Sequence, residues 1–172
     1  MVAETGRLGI FVIFLLLAAW QDFREKQVSI WVYQIFGVMA VMMLGVMFYE
    51  ALWSATLAEN AQKTIVEVWF MAGRSYLFGI LPGILLLICA RFSRGAVGVG
   101  DGCFFVISGL LLGLSDNCLL FFYALLGCGL FGLGYYVIGW IQKSGINGKT
   151  ELPFLPFAVV PGMWIVAIRL IR

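Results

Sequence analysis

The stretch VSIWVYQIFGVMAVMMLGVMFYEALW, residues 28–53, contains a single charged residue, Glu50, and decides the fold class. A helix needs about 20 predominantly apolar residues to cross the hydrocarbon core of a bilayer, and this stretch exceeds that length. Five further apolar segments lie at about 8–21, 75–92, 102–115, 117–141 and 153–171. Together they predict an all-α integral membrane protein, a six-transmembrane-helix bundle that forms a single transmembrane domain over residues 1–172.

Composition supports the same class and excludes several kinds of chemistry. The chain is 63% hydrophobic and 12% charged, whereas soluble domains carry roughly 25% charged residues. It contains no histidine, which excludes Ser-His-Asp and Cys-His catalytic sites and histidine-bound metals. The net charge of +2 is too small for a nucleic-acid-binding surface. We therefore expect no metal, no other cofactor and no nucleic-acid partner.

The cysteines are predicted to be small apolar residues rather than metal ligands or disulfide partners. Zinc sites and disulfide frameworks show closely spaced or regularly repeated cysteines, and this chain has no CxxC pair. Each of the four lies singly in an apolar segment: Cys89, Cys103, Cys118 and Cys128.

The distribution of charged residues predicts how the bundle is oriented. With six spans, the loops between helices 1 and 2, 3 and 4, and 5 and 6 lie on one side of the membrane. These short loops carry six basic residues: Arg24, Lys26, Arg91, Arg94, Lys143 and Lys149. The opposite side carries nearly as many basic residues, Arg7, Lys63, Arg74, Arg169 and Arg172, but also five acidic ones: Glu4, Glu50, Glu59, Glu67 and Asp116. Because short cytoplasmic loops are enriched in lysine and arginine, we expect these loops in the cytoplasm and both termini outside.

The polar stretch 54–74 leaves two structures open. Apolar residues recur there at helical spacing, at Ala58, Ala61, Ile65, Val68 and Trp69. This pattern is typical of an amphipathic helix that lies in the membrane interface. The alternative is a loop that runs directly into the third span.

The last two helices give two further predictions, one about basic residues and one about glycines. Arg169 and Arg172 are expected to extend their charged groups to the membrane interface. Glycines in the fifth span predict close packing against a neighbouring helix, and they are Gly127, Gly129, Gly132, Gly134 and Gly139.

Two aspartates lie at the ends of the two shortest apolar segments. Asp22 follows the first segment, and Asp101 precedes the fourth within Gly95-Ala-Val-Gly98-Val-Gly100-Asp101-Gly102. Because the loops after spans 1 and 3 share one side, both carboxyls are expected at the cytoplasmic end of the bundle. Carboxyls at membrane depth cost a few kcal/mol each, so they are functional candidates by default. A carboxyl pair that shares one proton can activate water for amide hydrolysis without metal or histidine.

The setting of these aspartates resembles that of a known family. Gly98-Val-Gly100-Asp101 is similar to the GxGD motif of intramembrane aspartyl proteases, particularly the type IV prepilin peptidases and their archaeal preflagellin relatives. In that family a first aspartate follows the first span and precedes an Ile-Pro-Asn-like element, where this chain has Asp22 and then Val28-Ser29-Ile30. Pro153-Phe-Leu-Pro156-Phe157-Ala158 is similar to the family's Pro-Phe-x-Pro-Phe stretch at the last span. The resemblance covers about residues 8–165. After Asp101, this chain has Gly102-Cys103-Phe104 where the family often has Val-Lys-Leu.

The resemblance implies an aspartic endopeptidase with Asp22 and Asp101 as its catalytic pair. Gly98, Gly100, Pro153 and Pro156 would support the motifs. The expected substrates are pilin-like precursors, which lose a short basic leader at the cytoplasmic face of the inner membrane. This chain lacks the paired-CxxC zinc domain that larger members use for N-methylation, and it is therefore most similar to peptidase-only members that serve Flp-type pili.

Three alternatives to catalysis by the aspartates remain, and one of them is a degenerate family member that binds substrates without cleaving them. Asp22 lies beside Arg24 and Lys26, as an ordinary solvated loop acid would. In a non-enzymatic transporter, or a subunit of a pilus or secretion assembly, Asp22 and Asp101 would instead bind cations or protons.

Overall fold

The structure, a computed structural model, describes residues 2–56, 70, 73–93, 98–141 and 153–171. Within these ranges the chain is helical and contains no strand. Its helices are α1 Val2–Glu25, α2 Ile30–Thr56, α3 Arg74–Gly79, α4 Leu81–Phe92, α5 Val99–Leu112, α6 Leu114–Ile141 and α7 Pro156–Ile171.

Four stretches of the described helices are long and apolar enough to cross a membrane. They are Glu4–Glu25, Ile30–Ala51, Arg74–Phe92 and Leu114–Gly139. Two shorter apolar helices, Val99–Leu112 and Pro156–Ile171, match the predicted fourth and sixth spans. The prediction of an all-helical membrane protein is therefore confirmed, while the count of six spans stays a prediction. Helix α7, the predicted sixth span, begins three residues later than predicted, because residues 153–155 form the turn that precedes it.

Helix α5 lies at the centre of the described bundle, since it packs against α1, α2, α3, α4 and α6. Its side chains Phe104, Phe105 and Leu111 are fully buried. Phe104 stacks on Phe14 of α1, with ring centroids 5.0 Å apart. The side chains of α2 and α6, by contrast, are largely exposed to the surroundings, as Met42 and Leu130 illustrate. Apolar side chains on such outer faces are what a lipid environment requires.

The third predicted span is interrupted between α3 and α4. Pro82, near the start of α4, has no backbone N–H to donate to the preceding turn. The carbonyl of Gly79 at this break accepts a hydrogen bond from Nδ2 of Asn117 at 2.7 Å. Asn117 is fully buried and also donates to the carbonyl of Phe105 at 2.9 Å. Its Oδ1 accepts a bond from the Ser108 hydroxyl at 2.7 Å, so one side chain joins α3, α5 and α6.

Backbone-to-backbone packing occurs where α5 meets α3 and α4. A Cβ atom at Gly109 would overlap the carbonyl oxygen of Gly79, and one at Gly83 would overlap the backbone of Val106. The prediction that glycines of the fifth span pack closely is confirmed at Gly127, where a Cβ atom would lie 3.4 Å from the Phe157 ring of α7. It is wrong at Gly129 and Gly134, where a Cβ atom would have no neighbour within 4 Å. Those positions belong to the outer part of α6, so glycine content alone did not identify the contact.

The end of the bundle that includes the start of α1 carries an ion-pair cluster. Arg169 Nε lies 2.5 Å from Oδ2 of Asp116, and its NH1 lies 3.7 Å from Oε1 of Glu4. Arg169 therefore pairs with two carboxylates at this end of the bundle, and its predicted extension to the membrane interface stays a prediction. Arg7 is 1% exposed; it donates to the hydroxyl of Tyr76, and its guanidinium lies 4.8 Å from the centre of that ring.

Several sequence predictions lie outside the described residues. The choice between an amphipathic helix and a loop for 54–74 is one of them, although α2 continues to Thr56. The positions of several charged residues are others: Glu59, Glu67, Arg94, Lys143, Lys149 and Arg172.

Candidate functional site

Asp22 lies in the last turn of α1, whereas the sequence placed it after the helix. The apolar pattern stops at residue 21, but the helix continues through Glu25. Lys26 then adopts a left-handed conformation with φ of 52°, and its N–H donates to the carbonyl of Asp22 at 3.0 Å. A left-handed residue just beyond the last turn is a common way to end a helix. Asp22 is thus part of a rigid element and not of a loop.

The carboxylate of Asp22 is held by the turn that precedes α7. It is 9% exposed, and its Oδ2 accepts a hydrogen bond from the N–H of Leu155 at 2.9 Å. The N–H of Phe154 is a second donor to this carboxylate. Backbone N–H groups at a helix start have no partner inside the helix and favour a nearby carboxylate. Asp22 of α1 therefore caps α7 through a contact between residues 133 apart in sequence.

This contact explains what the two motif prolines do. Pro156 is the first residue of α7, where a missing N–H costs nothing and a fixed φ favours the helix. The helix start is secured by bonds from the N–H of Phe157 to the carbonyl of Phe154 and from the N–H of Ala158 to that of Leu155. Pro153 lies at the beginning of the same turn. Pro156 thus begins the helix directly after the turn whose N–H groups face Asp22, and Pro153 begins that turn.

Asp101 lies in the first turn of α5, at the start of the predicted fourth span. The N-cap residue is Gly98, in an extended conformation with φ of −70° and ψ of 130°. Asp101 is three residues further on, and its carboxylate accepts a hydrogen bond from the N–H of Gly98. An acidic side chain at this position that reaches back to the N-cap N–H is half of a capping box. A Cβ atom at Gly98 would lie 2.9 Å from Oδ2 of Asp101, so glycine leaves room for this carboxylate.

Tyr33 of α2 completes the site, and sequence analysis missed it. Its hydroxyl donates to the carbonyl of Gly100 at 2.9 Å. A Cβ atom at Gly100 would lie 3.0 Å from the Tyr33 oxygen, which explains the second glycine of the motif. The Tyr33 hydroxyl is also within electrostatic range of both Asp22 and Asp101. No sequence signal marks Tyr33, since a tyrosine in a membrane helix is usually a packing or interface residue.

The structure brings Asp22 and Asp101 together at one end of the bundle. Asp22 is near enough for its charge to act on the Asp101 carboxyl, although the two residues are 79 positions apart in sequence. Three sequence motifs meet here: Asp22, the turn around Gly98 and Gly100, and the turn before Pro156.

The turn between α1 and α2 forms without the proline found in the resembling family. Its Ser29 donates a backbone N–H to Oε1 of Gln21 at 2.9 Å, and α2 begins at the next residue, Ile30. The Gln21 oxygen satisfies a backbone N–H at the start of α2, as the side chain of an N-cap residue does for the N–H groups that follow it. Val28-Ser29-Ile30 thus allows α2 to begin directly after this turn.

A groove of about 1070 Å³ lies between α6 and α7 and is separate from the carboxyl pair. Tyr123, Gly127, Val160 and Trp164 line its middle. At one end it includes Pro156 and Phe157, directly after the turn that holds Asp22, and at the other it reaches the ion pairs of Arg169. Among the described residues no group of three or more histidine, cysteine, aspartate or glutamate side chains is arranged to hold a metal ion.

Comparison of the chain with protein-family models, with curated proteins and with solved structures finds no significant match. What the site can do is therefore inferred from its residues and their geometry. These residues offer two carboxyls at the same end of the bundle, with Asp101 in the range of the Asp22 charge, and each is held by backbone N–H donors from a different turn.

Proposed function

We propose that the chain is a membrane aspartic endopeptidase that removes short basic leaders from pilin-like precursors. The observation that carries the proposal is that Asp22 and Asp101 lie at the same end of an apolar helical bundle, with Asp101 within range of the Asp22 charge. Both carboxyls are held by backbone N–H groups, Asp22 by the turn before α7 and Asp101 by Gly98. Catalytic groups need such fixed positions, because small displacements are costly to the rate.

The proposed chemistry is addition of water to the scissile peptide carbonyl. One carboxyl, in its ionised form, takes a proton from the water as its oxygen bonds to the carbonyl carbon. The other carboxyl, in its protonated form, donates its proton to the carbonyl oxygen. The C–N bond then breaks as the leaving nitrogen gains a proton, giving a carboxylic acid and an amine. A carboxyl pair that shares one proton supplies both roles.

The proposed topology has six spans, with α5 and α7 as short ones. Short spans are tolerated where their ends face a water-filled space formed by the protein, and α5 and α7 both begin at the carboxyl pair. The same end of the bundle carries Arg24, Lys26 and Arg91 near the ends of α1 and α4. The other end carries Arg7, Arg74 and Arg169, of which Arg7 is buried and Arg169 is paired with Glu4 and Asp116. By the positive-inside rule, this distribution supports a cytoplasmic site and outward termini in the inner membrane.

The proposed substrate combines a basic leader with an apolar segment. A leader rich in lysine or arginine stays on the cytoplasmic side for the same reason that Arg24 and Lys26 do. The apolar segment that follows would lie in the bilayer beside the bundle. The scissile bond between them would then be at the depth of Asp22 and Asp101.

The test is cleavage of a pilin-like precursor by the purified chain in lipid vesicles. We take precursors encoded alongside this protein and measure the mass and the new N-terminus of the product. The expected result is one cut between the basic leader and the apolar segment, and no cut in a precursor whose leader lacks its basic residues. If the wild-type chain binds precursors without cutting any of them, or instead carries protons or cations across the vesicle, the peptidase proposal is wrong.

A further inference from the structure

We infer that Tyr33 is a positioning residue for the peptidase reaction, because its hydroxyl fixes the turn that carries Asp101. The inference rests on the proposed function and adds a third side chain to it. Tyr33 belongs to α2, which supplies neither carboxyl, so the hydrogen bond to Gly100 is a link from a third helix to the pair.

The link acts through a rigid unit. The carbonyl of Gly100 and the backbone nitrogen of Asp101 belong to the same peptide group, which is planar. A hydrogen bond of 2.9 Å from Tyr33 to that carbonyl therefore restrains the backbone of Asp101 directly. Asp22 is fixed independently by the turn before α7. The separation of the two carboxyls thus depends on where Tyr33 holds the Gly100–Asp101 peptide.

The ring of Tyr33 is itself held in place. It packs edge-on against Phe14 of α1, with centroids 6.4 Å apart. Phe14 in turn stacks on Phe104, three residues after Asp101 in α5. Tyr33 is therefore braced by the two helices that carry the carboxyls, and its hydroxyl has little freedom to leave the Gly100 carbonyl.

The first experiment replaces Tyr33→Phe, which keeps the ring and removes only the hydroxyl. We expect kcat for precursor cleavage to fall about 10- to 100-fold, the loss that a misplacement of about 1 Å can produce. KM should stay within about twofold of wild type, because the hydroxyl binds Gly100 and not the substrate. The matched control is Tyr49→Phe on the same helix, about 24 Å away at 1.5 Å per residue, which should leave kcat unchanged.

The second experiment tests the contact with a double-mutant cycle. A Cβ atom at Gly100 would lie 3.0 Å from the Tyr33 oxygen but 3.9 Å from Cζ, the nearest remaining ring atom. Gly100→Ala should therefore lower kcat in the wild-type background by displacing the hydroxyl. In the Tyr33→Phe background the same change should cost no further activity. Such non-additivity is expected for residues that are in contact or joined through one local network, and not for distant independent ones.

The outcomes separate this inference from the proposed function. If the wild-type chain cleaves and Tyr33→Phe keeps the wild-type kcat, or loses activity only through KM, the positioning role is wrong while the peptidase stands. Multiplicative losses in the cycle would also overturn it. If the wild-type chain cleaves no precursor, the proposed function is wrong, and the positioning role that rests on it is wrong as well. Circular dichroism of each variant checks that the helices remain, and the cycle, which compares Gly100→Ala in two backgrounds, still decides if Tyr33→Phe lowers stability.

Discussion

Replacing either aspartate with asparagine is expected to reduce precursor cleavage by about 10²- to 10⁴-fold, the contribution of a general acid or base. An amide has nearly the shape of a carboxyl but neither takes up nor gives up a proton in this reaction. The amide oxygen at position 22 can still accept the Leu155 N–H, so Asp22→Asn should keep the start of α7 intact. The measurement is the initial rate of cleavage for purified Asp22→Asn and Asp101→Asn in the same vesicles.

The control for this experiment is Asp116→Asn. Asp116 pairs with Arg169 at the other end of the bundle, and its conversion to the amide leaves the carboxyl pair untouched. Its cleavage rate should remain near wild type, even if the lost ion pair lowers stability. Wild-type rates for Asp22→Asn or for Asp101→Asn would rule out the two-carboxyl mechanism.

The second large effect is expected from Gly109→Ala, which should destabilise the folded bundle by about 3 kcal/mol, at the upper end of the usual cost of overpacking. The added Cβ would overlap the carbonyl of Gly79 and lie 2.9 Å from Nδ2 of Asn117. These neighbours are the backbone of α3 and a fully buried side chain bonded to it, so neither can move without breaking the Asn117–Gly79 hydrogen bond. The measurement is the thermal unfolding midpoint of the purified protein in detergent.

Gly129→Ala is the matched control, because it makes the same change in a helix where a Cβ atom meets nothing within 4 Å. Alanine is about 1 kcal/mol better than glycine in a helix interior, so this variant should unfold at the wild-type temperature or slightly above. Equal midpoints for Gly109→Ala and Gly129→Ala would contradict the backbone contact between α3 and α5.

The existence and approximate ends of the long helices could be predicted, because they depend on local sequence patterns. Uninterrupted apolar stretches identify the long helices, as 28–53 does for α2, because a bilayer imposes a minimum length. The approximate ends of the helices followed from where charges stop the apolar pattern. At Asp22 that criterion failed by about one turn, since a helix can continue with polar residues once it leaves the lipid, and α1 runs on to Glu25.

Features that depend on which helices touch could not be predicted. Tyr33 and Asn117 look like any other side chain of an apolar helix until Gly100 and Gly79 are brought beside them. The glycines of α6 looked like a packing motif, yet Gly129 has open space, and the close contact lies at Gly79 and Gly109. The capping of α7 by Asp22 joins opposite ends of the chain. A one-dimensional pattern contains no information about such pairs.

The two carboxyls can be located most directly by chemical bridging. In a chain whose four native cysteines are replaced by alanine, Asp22→Cys and Asp101→Cys are introduced together, and a short bis-maleimide is added in vesicles. The control pair is Asp22→Cys with Asp116→Cys; Asp116 binds Arg169, which is about 20 Å along α7 from the turn that holds Asp22. Mass spectrometry should find an intrachain bridge in the first pair and none in the second. If the first pair forms no bridge although each cysteine alone reacts with maleimide, the two carboxyls are not close together and the two-carboxyl mechanism is contradicted.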